Sequence, residues 1–171
     1  MLKGSYGMID KNGILYGIGV GPGEPELMTI KALRIICSCD VIILPAASKE
    51  ACYAYKIAYE VCPEIEEKIL LCMPFPMIQD EKELELAHEK NYHEIEDYLR
   101  EGKDVGMLTI GDPSVYSTYL YMHYRAVKAG FQAVMISGVP SFCASACRLG
   151  ISLGEKNEEI HIIPASYDVE E

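Results

Sequence analysis

Apolar runs of strand length alternate along the chain with stretches whose apolar residues recur at helical spacing. Residues 14–20, 41–44, 69–73, 105–110 and 131–136 are almost uninterrupted by charge, as expected of strands covered on both faces. Residues 29–39, 50–62, 80–101, 114–129 and 141–149 carry the helical pattern between them, and 160–163 predicts one more strand. Pro45, Pro63 and Gly102 punctuate the elements. This alternation predicts an α/β fold, a mostly parallel sheet flanked by helices, with ligands at the carboxyl ends of its strands. Residues 1–13 read as an N-terminal extension and 14–154 as the α/β domain. The pattern weakens after Gly154, so 155–171 reads as a linker and the first strand of a truncated second domain.

Composition narrows the function. Half of the 171 residues are hydrophobic and 24% are charged, which is ordinary globular chemistry. The net charge of −11 does not supply the clustered bases that a phosphate backbone requires, so no nucleic acid partner is expected. No window has the roughly 18 apolar residues of a membrane span, and no secretory signal opens the chain. Seven cysteines, an odd number, then predict a reduced cytoplasmic protein with free thiols. Much of the acidity is local: residues 80–101 hold nine acids against three bases, the pattern of a solvated helix face.

Three glycine-containing loops follow strands. Gly17-Ile-Gly19-Val-Gly21-Pro22-Gly23 has the density of a dinucleotide fingerprint, but Glu24 and Glu26 stand where a pyrophosphate would meet the helix. The helix opens only near Thr29, and Asp40 precedes the second strand instead of ending it. The nicotinamide reading is therefore disfavoured. In Ile110-Gly111-Asp112-Pro113, Asp112 and Pro113 suit an N-cap and first helical position, while Gly111 removes a side chain where backbone could approach a ligand. Ser137-Gly138-Val139-Pro140-Ser141 forms the third, before a helix whose small residues 144–146 suit close packing on the sheet. Three such loops at one sheet edge predict a small-molecule cleft.

The ordered segments GIGVGPGEPELMTIKALRII, LTIGDPSVYSTYLYM and SGVPSFCASACRLGISL resemble the tetrapyrrole methylases over about residues 14–164. The MPFPM segment at 73–77, the acidic helix after it and GDPSVYSTYLY resemble members that methylate C20 of precorrin-2 or cobalt-precorrin-2 in cobalamin synthesis. The resemblance implies S-adenosyl-L-methionine as cofactor, with S-adenosyl-L-homocysteine as product. It implies cofactor contacts at Pro22, Ile110, Gly111, Asp112, Val115, Pro140 and Ser141. The third loop departs from the family pattern, since Ser137 replaces a proline and Pro140 takes a hydroxyl position. Pro45 stands near the place of an acid that some members carry after the second strand, so no catalytic base is assigned.

The resemblance also implies a reduced tetrapyrrole as substrate, a homodimer, and a second α/β domain closing the cleft. Weak cofactor binding and no turnover are the expectation for the 171 residues alone. The donor is already activated, so the protein would act mainly by orientation, which needs neither triad nor metal. Lys31, Arg34, Lys49, Lys56, Arg125 and Arg148 are candidates to meet substrate carboxylates. Tyr116, Tyr119 and Tyr124, with Leu120, predict a stripe packed into the core along one helix, and Cys143 and Cys147 read as small buried thiols rather than metal ligands. Two other readings stay open: a methylase of the same superfamily with another acceptor, and a non-enzymatic nucleotide-binding module.

Overall fold

The computed structural model describes residues 12–76 and 80–163. Its strands are β1 (Ile14–Gly19), β2 (Val41–Leu44), β3 (Ile69–Cys72), β4 (Val105–Thr109) and β5 (Gln132–Ile136). They form one parallel sheet in the order β3-β2-β4-β1-β5. In the register of the central strand, Gly17 lies between Met107 of β4 and Met135 of β5. The helices are α1 (Ile30–Ser38), α2 (Tyr53–Val61), α3 (Glu81–Arg100), α4 (Tyr119–Lys128) and α5 (Ser141–Leu149).

Alternating side chains of the same strands feed two separate cores. Ile18, Ile42, Leu44 and Leu108 meet Ile36 of α1 and Ala54, Ile57 and Ala58 of α2. Leu15, Val41, Ile43, Val105 and Met107 meet Ile95 and Leu99 of α3 and Met122 of α4 on the opposite face. Each such buried aliphatic side chain is worth about 1.5–3 kcal/mol relative to exposure, so both faces select apolar residues and the strands lose polar alternation. The acidic helix behaves accordingly. On α3, His88, Tyr92, Ile95 and Leu99 point inward at helical spacing while its acids, Glu96 apart, face solvent. Asp80 caps it, its Oδ1 accepting the amides of Lys82 and Glu83. Thr29 caps α1 through the Ala32 amide. No helix among the described residues is long and apolar enough to cross a membrane.

Several expectations need correction. The fourth helix begins at Tyr119 and not at 114, because Tyr116, at φ 46°, turns the chain away after the single turn that Asp112 opens. The tyrosine stripe therefore fails: Tyr119 is fully buried, but Tyr116 precedes the helix and is exposed, as is Tyr124. The second helix starts at Tyr53, three residues late. Two 3-10 turns, Pro25–Leu27 and Pro63–Glu67, were not anticipated. Residues 160–163 are exposed and not strand, since no neighbour among the described residues offers them a ladder. Cys147 is exposed and Cys143 only half-buried, because α5 buries just Ala146. Residues 1–11 of the expected extension, 164–171 of the expected linker and position 77 of the 73–77 segment lie outside the described residues.

Tyr119 ties the sheet to α4. Its hydroxyl lies 3.1 Å from the Val134 carbonyl and 3.1 Å from Nδ1 of His123, and burial pushes its phenol upward in pKa. The ring lies directly over Gly17, where a Cβ would fall 2.3 Å from two ring carbons. Gly17→Ala is therefore expected to destabilise the fold by about 1–3 kcal/mol, as overpacking does. Urea unfolding checks this, and an unchanged midpoint would show that the ring moves aside freely.

Candidate functional site

The strand order decides where a cleft can open. β1 and β2 exit toward α1 and α2 on one face, whereas β4, lying between them, exits toward α4 on the other. Neighbouring strands whose connections part to opposite faces leave a crevice at their carboxyl ends. β4 has such a neighbour on each side, so the loop after it, beginning at Ile110, is the centre of the site.

Three glycine loops meet there by backbone contact. Gly21 and Gly111 pair as an antiparallel bridge, with the Gly111 amide 2.8 Å from the Gly21 carbonyl. Gly111 adopts φ 72°, a left-handed conformation that glycine takes without strain. A Cβ at Gly138 would sit 2.0 Å from the Gly111 carbonyl oxygen, and one at Gly19 would sit 2.6 Å from it. Asp112 then latches the second loop to the third. Its Oδ2 accepts the Gly138 amide at 3.0 Å, and its Oδ1 accepts the amide of Ser114 at 2.8 Å and the Ser114 hydroxyl. Thr29 completes the junction, its hydroxyl donating to the Ser137 carbonyl at 3.3 Å.

Two cavities open beside this junction and share Ile110 and Tyr53. The larger, about 350 Å³, lies between the ends of β2 and β4, with Pro45, Thr109, Tyr116 and Ser117 in its wall. The smaller, about 280 Å³, is bounded by Pro22, Gly23, Lys56, Ile57 and Glu60. Their size is at the lower end of the roughly 300–1,000 Å³ of small-molecule sites. The lining is mostly apolar with a few hydroxyls, and Lys56 is its one base, 5.0 Å from the centre of the Tyr53 ring. Burial raises the Cys52 thiol, which therefore meets the larger cavity uncharged. Thr109 and Ser117 hydroxyls bond each other at 3.0 Å, and Tyr116 reaches the Ile162 carbonyl at 3.3 Å.

The residues expected at the site divide by role. Pro22 and Ile110 line cavities. Gly111 and Asp112 form the junction, and the Val115 amide bonds the Asp112 carbonyl at 3.1 Å. Pro140 lies across Gly111, its Cα 3.9 Å from where a Cβ would be, and Ser141 opens α5 beside it; neither reaches the two cavities. Among the expected bases, Lys49 is paired with Glu66 and Arg125 with Glu85 away from the junction, while Lys56 alone lines one of these two cavities. Tyr53 and Glu60 were missed as site residues, while Lys56, an expected base, and Tyr116, at the end of the expected stripe nearest Gly111, do line the cavities. Positions 53, 56 and 60 share one helical face, so the spacing was present, but only the fold shows that this face looks onto Ile110.

The chain belongs to the tetrapyrrole (corrin/porphyrin) methylases, whose family model matches residues 14–171. It is 36% identical over 159 residues to a Methanocaldococcus jannaschii protein named probable cobalt-precorrin-2 C(20)-methyltransferase, covering 91% of this chain and 66% of that one. It is 31% identical over 153 residues to the Salmonella typhimurium cobalt-precorrin-2 C(20)-methyltransferase, covering 89% of this chain and 63% of that one. The chain thus spans just under two thirds of the length of these relatives. The fold is shared with a crystal structure of Thermus thermophilus uroporphyrin-III C-methyltransferase complexed with S-adenosylhomocysteine, at TM-score 0.58 and 21% identity, over 85% of this chain and 55% of that one.

Burial opposes ionisation of Asp112, but its bonds from Ser114 and Gly138 outweigh this and hold the carboxyl below its usual value. A depressed folded-state pKa contributes stability above the unfolded value, about 3.9, which is lost as pH falls through the folded value. Asp112→Asn is expected to lower the urea midpoint at pH 7 and to approach the parent protein at pH 3. Equal midpoints at pH 7 would show that the latch carries no stability.

Proposed function

We propose that this chain provides the S-adenosylmethionine-binding part of a C-methyltransferase acting on C20 of precorrin-2 or cobalt-precorrin-2 in cobalamin synthesis. The observation that carries this is the junction of three glycine loops at the carboxyl end of β4, in a chain matched by the family model over residues 14–171. The relatives named for C20 methylation support the acceptor, and the neighbour complexed with S-adenosylhomocysteine supports the cofactor. The residues present fit such a ligand: a Cβ at Gly23 would meet nothing within 4 Å, and one at Gly111 would meet only Pro140 and Val139 at ordinary contact distance, which leaves backbone open to a nucleoside.

When bound, the cofactor supplies an electrophilic methyl group on a sulfonium. In this reading Pro22, Ile110, Gly111, Pro140 and Ser141 hold it, while Asp112 and Val115 set the loop that presents Ile110. Asp112 positions backbone and moves no proton, since both its oxygens are engaged. Exposed Tyr53 and Tyr116 present aromatic faces of the kind that pack against a planar macrocycle, and Lys56 meets one of its carboxylates. The low polarity of Pro22, Pro45, Ile57 and Ile110 suits a transfer in which a cation becomes neutral, and orientation supplies most of the rate. We further read the protein as a cytoplasmic homodimer. The exposed Leu149 at the end of α5, with Ile151 and Leu153 beyond it, supports association.

Calorimetric titration of the 171-residue chain with S-adenosylhomocysteine tests the cofactor reading. Weak binding is expected for it and none for NADH, and Ile110→Glu should weaken it further, at least tenfold, ~1.4 kcal/mol. Heat with NADH and none with S-adenosylhomocysteine would refute the reading. For the acceptor, Lys56→Glu should weaken binding of a carboxylated tetrapyrrole by about three- to tenfold, followed by the pigment's absorbance, because one favourable contact becomes repulsive.

A further inference from the structure

Two of the seven cysteines occupy a relation that the methylase reading does not use. Cys37 lies in the last turn of α1 and is exposed; Cys62 ends α2 and is buried. Although 25 positions apart in sequence, their Sγ atoms are 3.5 Å apart. A disulfide bond measures about 2.05 Å, so the two sulfurs must approach by only about 1.5 Å.

The backbone on each side is tied in place. The Cys37 carbonyl accepts the Lys68 ammonium at 2.6 Å. The Cys62 amide donates to the Ala58 carbonyl at 2.9 Å, and the Cys62 carbonyl accepts the Ile65 amide at 3.1 Å. The sulfurs therefore face each other at a high local concentration, with one of them open to solvent. Burial, helped by its contact with Cys37, pushes the Cys62 thiol up to about 12. Exposure orders the chemistry: an incoming disulfide reaches the exposed Cys37 first, and the buried Cys62 beside it resolves.

We propose that Cys37 and Cys62 are a redox pair that closes to an intramolecular disulfide when the folded protein meets a small-molecule disulfide. The Cys37 thiolate attacks one sulfur of that oxidant, breaking its S–S bond, and the first small thiolate leaves and takes up a proton. The Cys62 sulfur, releasing its own proton, then attacks Cys37 Sγ and expels the second small thiol. Two protein thiols are oxidised, one small disulfide is reduced to two thiols, and two electrons pass between them. The new bond joins the end of α2, the helix that carries Tyr53 and Lys56, to α1, whose cap Thr29 holds the Ser137 loop.

The test exposes the native 171-residue chain to oxidised glutathione, blocks remaining thiols with an alkylating reagent and maps the digest by non-reducing mass spectrometry. A peptide pair linked through Cys37 and Cys62, lost on adding a dithiol, is the expected result. The oxidised protein should also show a higher urea midpoint than the reduced one. Cys62→Ala should stop at glutathione attached to Cys37, and Cys37→Ser, altering only an exposed position, should leave Cys62 unmodified. The proposal fails if Cys37 carries glutathione in the parent chain while Cys62 stays a free thiol. It fails equally if either sulfur is found joined to a different cysteine.

Discussion

The contact among Gly19, Gly111 and Gly138 is the constraint on which the site depends. Three separate connections, from β1, β4 and β5, bring bare backbone to within a distance that no side chain tolerates, since a Cβ at Gly138 would overlap the Gly111 carbonyl at 2.0 Å. With the loops meeting this closely, the Gly21–Gly111 bridge forms and the Asp112 carboxylate reaches the Gly138 amide. The rim thereby becomes a shaped surface instead of three independent turns. Everything that lines the two cavities is referenced to it through Ile110.

The sheet order supplies the other half of the arrangement. With β4 between β2 and β1, the chain leaves alternately toward the two faces, and space opens on both sides of a single loop. The charge distribution respects that space. The acids of α3, Glu96 apart, face solvent on the helical layer that also contains α4, whereas the cavities lie at the strand ends near α2. A strongly acidic chain can in this way leave a mostly apolar pocket with one lysine for a carboxylated ligand.

How much of this was legible in the sequence follows from how local each signal is. β2 and α5 lie where the spacing of apolar residues places them, and Thr29 and Asp80 cap the helices they precede, because those signals need only neighbouring residues. The reading of Asp112 and Pro113 as a helix start failed for the opposite reason. Asp112 takes the Ser114 amide as a cap does, but its other oxygen is tied to Gly138, 26 positions away, and the turn it opens is broken at Tyr116 instead of continuing as helix. Tyr116 and Tyr119 likewise look alike in the sequence. Tyr119 became the buried tie between α4 and the sheet, and Tyr116, whose own backbone turns at φ 46°, an exposed wall of a cavity.

The chain's own letters determined the α/β alternation, the placement of glycines at strand ends, the segregation of acid onto one helix and the family to which these belong. Each depends on periodicity or on short motifs that survive without knowledge of the fold. Which loops touch, which lysine sees a cavity, and which two of seven thiols come within 3.5 Å were decided only by tertiary structure. Those relations join residues tens of positions apart, and only the crossing of strands over one another sets the distance between them.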